Sequence, residues 1–93
     1  MEEQAHRLVK VLKVLGNPLR YRICKILHEK GPISVSTLVE VLGEKQNTVS
    51  QHLSKLRKLD LVYYERDGNF LNYDIDRRDV IEPILELESN FSR

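Results

Sequence analysis

Residues Lys45 to Leu59 hold three side-chain amides, Gln46, Asn47 and Gln51, and three hydroxyls, Thr48, Ser50 and Ser54. Beside them stand four cations, Lys45, Lys55, Arg57 and Lys58, and no carboxylate. An amide can bond adenine through two atoms, a hydroxyl suits either base edge, and lysine or arginine holds phosphate, whereas a carboxylate is repelled by a polyanion. This mixture can grip and read double-stranded DNA. A merely solvated helix would mix Glu and Asp into the same face. At about 100° per residue, turning Val49, Leu53 and Leu56 inward sends Asn47, Gln51, Ser54, Lys55 and Lys58 outward. Gln46, Ser50 and Arg57 then form one flank.

Such a helix needs a body to stand on, and the rest of the chain supplies one. Ala5, Leu8, Leu12 and Leu15, interleaved with Val9, Val11 and Val14, predict a first helix that is apolar around more than one face and so has two things to pack against. Asn17 as cap and Pro18 at the first helical position open a second helix, with Ile23, Ile26 and Leu27 inside, that stops at Gly31-Pro32. Ser34 or Ser36 caps a short third helix through Leu42, ended by Gly43, and the polar-faced fourth runs from about Lys45 to Leu59. Leu61 to Arg66 and Phe70 to Ile75 read as strands around Asp67-Gly68, a pair that favours a type I′ hairpin. Arg77 to about Phe91 is helical again, with Asp76 as its cap. Pro83 either kinks this segment or moves its start to near Glu82. The expected fold is mainly α with a β-hairpin wing, a winged helix-turn-helix in which four helices precede the hairpin and a fifth follows, as one domain over residues 1–93.

Charge is distributed to suit that reading. The net charge is +1, yet residues 45–59 carry four bases and no acid, while residues 60–93 hold nine acids against four arginines. An internal basic segment can aim a nearly neutral protein at a polyanion. The acidic, polar start, Met-Glu-Glu-Gln, is unlike a secretory signal, and no apolar run approaches the roughly 18 residues of a membrane span. A cytoplasmic protein is expected. With a single cysteine, Cys24, no intrachain disulfide can form. A chain of 93 residues has a small core, so a second copy is a natural source of further burial.

The stretch Leu12-Lys13-Val14-Leu15-Gly16-Asn17-Pro18-Leu19-Arg20-Tyr21-Arg22-Ile23, then Gln46-Asn47-Thr48-Val49-Ser50-Gln51-His52-Leu53-Ser54-Lys55-Leu56-Arg57 and the wing, resembles the ArsR/SmtB family of winged-helix repressors. The likeness covers roughly residues 8 to 75. It implies a homodimer joined mainly through the first and last helices, with each fourth helix in a major groove and each wing beside the backbone or minor groove. Its base-reading positions fall on Gln46, Asn47, Ser50 and Gln51. Lys45 departs from the family's usual Ser or Thr cap and exchanges a cap for a phosphate contact. In the wing, Arg66 and Asn69 flank the tip, where Arg66 is placed to reach a phosphate or a narrow minor groove. Tyr63, Tyr64, Phe70 and Tyr73 read as hairpin packing, since duplex DNA offers no splayed bases.

Metal sensing is not expected. Where the family's thiolate site has cysteines this chain has Ser34-Val35-Ser36, and its only histidines are His6, His28 and His52, none on the last helix. Cys24 and His28, four apart, supply two ligands of an incomplete site, and a half-buried thiol beside a surface imidazole is the plainer reading. A Cys24 to Cys24 bridge between subunits requires the second helices to meet. His52 is expected to pack between its helix and the hairpin. No glycine-rich phosphate loop, nucleophile elbow or converging carboxylate pair is present, so neither an enzyme nor a cofactor is expected. The leading expectation is a dimeric repressor on an imperfect inverted repeat of double-stranded DNA. The competing one is a winged-helix module that binds protein, hinted at by the acidic stretch Asp74 to Glu88.

Overall fold

The structure, a computed structural model, describes residues 2–92. Helix α1 spans Glu3–Leu15 and α2 spans Pro18–Lys30. The Asn17 side chain accepts the main-chain N–H groups of Leu19 and Arg20 at 2.9 and 3.1 Å, so two orphan donors are met as the cap-proline pair predicts. Ser34 caps α3, Val35–Leu42, by accepting the Thr37 N–H at 3.1 Å, which selects Ser34 over Ser36. Gly43 closes α3 in the left-handed region at φ 67°. That turn delivers the chain to α4, Gln46–Lys58.

The sheet has one strand more than the sequence suggested. A two-residue strand β1, Ile33–Ser34, joins β2, Val62–Asp67, and β3, Phe70–Ile75, in the antiparallel order β1-β3-β2. Ile33 lies opposite Tyr73, a pairing that no local pattern in residues 31–36 announces. The hairpin turn is Gly68-Asn69 rather than Asp67-Gly68, because Asp67 pairs with Phe70 and Val62 with Ile75. Gly68 at φ 61° is the one turn residue with positive φ, as in a type II′ turn. The register shift of two residues keeps every side chain on its expected face and sets the buried Val62 against the buried Ile75.

Helix α5 spans Arg78–Leu87 and passes through Pro83, followed by a 3-10 turn over Glu88–Phe91. It therefore starts earlier than Glu82. Pro83 removes one N–H, the donor for the Asp79 carbonyl, within a helix held by its apolar stripe. Asp76 does not cap through its side chain. Its main-chain carbonyl accepts the Arg78 N–H at 3.1 Å, and Arg77, the residue before the helix, forks onto Asp79 at 2.9 and 2.7 Å. That guanidinium holds the Asp79 carboxyl below its ordinary range.

Ile23 and Leu27 of α2, Leu38 of α3, Leu53 and Leu56 of α4 and Ile81 of α5 meet in one fully buried core. Each such side chain contributes about 1.5–3 kcal/mol relative to exposure. The second apolar face of α1 is only partly covered by the described residues: Leu8 and Leu12 stay about half exposed. No helix among the described residues is long and apolar enough to cross a membrane.

Candidate nucleic-acid interface

Helix α4 is fastened from below and open above. Val49, Leu53 and Leu56 are buried, and the opposite face carries Gln46, Asn47, Ser50, Gln51, Lys55 and Lys58, all exposed, with Lys45 exposed just before the first turn. Thr48 and Ser54 are half-buried on the flanks of the same helix. Among the described residues, none of these side chains is drawn into a hydrogen bond or ion pair with the rest of the chain. Their donors and acceptors are free for a ligand. Lys45 occupies the cap position without a side-chain cap bond, so among the described residues no side chain meets the first amide groups of α4. Lys55, Arg57 and Lys58 crowd its last turn, where the helix dipole favours cations.

The helix ends at a non-glycine left-handed residue, Asp60 at φ 57°, a conformation that aspartate tolerates. The Leu61 N–H returns to the Leu56 carbonyl at 3.1 Å, and the chain turns into the wing. Strand alternation then sorts the wing into two faces. Arg66 shares a face with Tyr64, Leu71 and Tyr73, while Glu65 and Asp67 lie opposite. The Arg66 face is the one against α4, since the Arg57 guanidinium sits 5.0 Å from the Tyr64 ring centroid. Tyr64 in turn packs on Tyr73 with centroids 5.3 Å apart. Those two tyrosines behave as hairpin packing. Tyr63 and Phe70 lie on the other, acidic face of the wing, where Phe70 is 57% exposed while Tyr63, at 39%, is about as exposed as Tyr64 at 37%. Arg66 and Asn69 are exposed at its end.

Several contacts escaped the sequence. The His52 ring has a partner on α2: the Arg20 guanidinium lies 3.1 Å from its Nδ1. Burial, and then the Arg20 and Lys55 charges, hold the His52 imidazole below its ordinary pKa. Helix α2 also straps α5. Tyr21 and Lys25 both donate to the Glu88 carboxylate, at 2.7 and 2.6 Å, and His28 Nε2 is 3.0 Å from Glu82. The Lys25 and Tyr21 donors hold Glu88 below the usual carboxylate range. Partners more than 50 residues apart leave no periodic trace in a sequence.

The residues weighed for sensing are otherwise engaged. Cys24 is fully buried in the core rather than half-buried, and desolvation pushes its thiol up to about 12. A bridge between two Cys24 side chains would require the core to open. The His28 imidazole faces Glu82 of α5, not a thiolate. The Ser34 hydroxyl, besides capping α3, lies within 3.1 Å of Ser36 and 2.9 Å of Thr37.

Comparison with known proteins agrees with this geometry. The family described as a helix-turn-helix domain matches residues 15–64. An uncharacterized HTH-type transcriptional regulator from Methanocaldococcus jannaschii is 32% identical over 88 residues, covering 91% of this chain and 99% of that one. The transcriptional repressor BigR from Xylella fastidiosa superposes with a TM-score of 0.87 at 29% identity, over 100% of this chain and 94% of its own. A homodimeric winged helix-turn-helix DNA-binding domain from Mycobacterium bovis superposes at 0.84 over 100% of this chain and 91% of its own, and at 23% identity it shows the fold alone. A basic, acid-free helix standing on a buried stripe, a wing beside it and relatives that regulate transcription have one reading: the chain belongs to the helix-turn-helix transcriptional regulators of the ArsR/SmtB winged-helix type.

Proposed function

We propose that this regulator is a cytoplasmic homodimeric repressor that occupies an imperfect inverted repeat, with one α4 in each of two major grooves. The supporting observation is the exposed, unpartnered α4 face, in which every polar side chain from Gln46 to Lys58 is neutral or cationic. Gln46, Asn47, Ser50 and Gln51 read base edges, with Thr48 and Ser54 at the groove wall. Lys45, Lys55 and Lys58 hold phosphate, and the uncapped amide groups behind Lys45 add donors of the same kind. Arg66 and Asn69 bring the wing to the adjoining backbone or minor groove. The chain carries out no chemistry of its own: regulation comes from occupying the site.

The dimer is supported by what one chain leaves uncovered. Leu8 and Leu12 on α1, with Leu87 on α5 and Phe91 just beyond it, are among its most exposed large apolar residues, all about half exposed or more. Joining these surfaces across a twofold axis covers them and sets two α4 helices for half-sites about 34–36 Å apart, or a multiple. Selection of bound duplexes from a random pool tests the whole reading. The expected product is an inverted repeat bound by two chains. Recovery of unrelated sequences, or no shift of a random duplex even at low salt, would refute it.

A further inference from the structure

We infer that Arg20 is a positioning residue for the DNA-reading helix, tying α4 to the end of α1 through His52, so that proton uptake at His52 releases α4 and weakens DNA binding. The inference rests on α4 being the reading helix.

The tie begins with a covalent fact. The Val14 carbonyl, in the last turn of α1, would ordinarily accept from the N–H four residues on, but that residue is Pro18, which has none. Arg20 Nε supplies the missing donor at 2.7 Å. The same guanidinium reaches His52 Nδ1 at 3.1 Å. A guanidinium only donates, so Nδ1 must be the acceptor, and the ring is neutral with its proton on Nε2. One planar side chain thus spans the end of α1, the start of α2 and the middle of α4. His52 adjoins Gln51, so the angle at which Gln51 meets a base edge is set partly by this contact.

Protonation reverses the contact. An imidazolium puts a second N–H and a second positive charge where Arg20 already presents both. The charged groups around His52 are Arg20 from α2, Lys55 one turn on along α4, and Glu44 from the loop before α4, and of these only Glu44 favours the charged ring. Desolvation adds to the penalty. Because the folded-state value is lowered, the unfolded chain takes the proton first as pH falls. The contact is therefore still whole at about pH 6.5, the unfolded value, and is lost only as pH falls further, through the lowered folded value. Loosening α4 lowers the fraction of molecules ready to bind, and apparent affinity falls by that fraction.

Simple electrostatics predicts the opposite sign, since a new cation beside a polyanion tightens binding as pH falls. The test is fluorescence anisotropy with a duplex that the wild-type chain selects from a random pool, titrated from about pH 7.5 to about pH 5.5 wherever circular dichroism shows native helix. Wild-type affinity is expected to fall several-fold, by less per protomer than the roughly tenfold that an unshifted ring would give one pH unit below its pKa. His52→Asn, whose Oδ1 can accept from Arg20 without titrating, should stay within about twofold across the same range. Arg20→Lys keeps the charge but cannot span both acceptors, and should bind several-fold more weakly already at the upper pH. A DNA-free check is the ring tautomer by nitrogen NMR, expected as Nε2–H in the wild type. Affinity that is flat or rises with acid, a His52→Asn variant that tracks the wild type, or an Nδ1–H tautomer would each overturn the inference. Gln51→Ala separates the two levels: if it binds like wild type, α4 is not the reading helix, whereas if it weakens binding while His52 behaves as simple electrostatics requires, only the tie fails.

Discussion

Lys55→Ala removes from each protomer an exposed ammonium that forms no ion pair among the described residues. In a twofold complex two phosphate contacts disappear. Each such contact adds about 0.9 to the slope of log affinity against log salt, so the slope should become shallower by about 1.8. Across a fourfold rise in salt, from about 50 to about 200 mM, that difference amounts to roughly tenfold. The variant is therefore most impaired in dilute salt, and its deficit shrinks about tenfold over this range. The loss should be equal on selected and random duplexes, because phosphate carries no sequence. Gln51→Ala should behave in the opposite way, keeping the slope while losing about 1–3 kcal/mol of discrimination at each site. Anisotropy at about pH 8 is the suitable assay, since Lys55 also helps hold the His52 pKa down and the ring must stay neutral in both proteins. An unchanged slope for Lys55→Ala, or equal losses from both variants on both duplexes, would refute the division of roles along α4.

Asn17→Ala leaves two main-chain donors of α2 without their side-chain acceptor and should cost about 1 kcal/mol, up to about 2, in denaturant unfolding with an unchanged m-value. Cys24 should resist thiol reagents in the native state: with its pKa near 12, about one molecule in 10⁴ is thiolate at about pH 8, against roughly one in ten for an ordinary thiol, and labelling should track global unfolding. Fast labelling of native protein would show that α2 is not seated as described. Leu12→Asp, at an α1 position that is 48% exposed, should leave the monomer fold intact and yield a single-chain species by sedimentation at micromolar concentration, with reduced affinity for the selected duplex.

The exposed polar face of α4 was legible in the sequence because it depends on one helix and its period. Once Val49, Leu53 and Leu56 were turned inward, the outward set followed from geometry alone: Asn47, Gln51, Lys55 and Lys58 are exposed as expected, while Ser54, also expected outward, is half-buried. Asn17 with Pro18, and Gly43, were legible for the same reason: a cap acts within three or four residues of itself. Asp76 misled because an aspartate before a helix is only one candidate cap. Here main-chain geometry at Arg77 and the fork onto Asp79 took its place.

Partners distant along the chain had to await the folded structure. The residue pattern pointed to a turn at Asp67-Gly68, and the turn at Gly68-Asn69 came from the ladder that sets Val62 against Ile75 and lets Ile33 join beside Tyr73. His52 was expected to pack between its helix and the hairpin, but the hydrogen-bond partner of its ring lies 32 positions away on another helix. The strap from Tyr21 and Lys25 to Glu88 crosses more than 60 positions. Local hydrogen bonding and periodicity are written into neighbouring residues, so composition and order suffice to specify the helices, caps such as Asn17 and Gly43, and the cationic face. Which surfaces meet, and hence how rigidly α4 is aimed, depends on packing between elements whose contacts exist only once the chain has closed on itself.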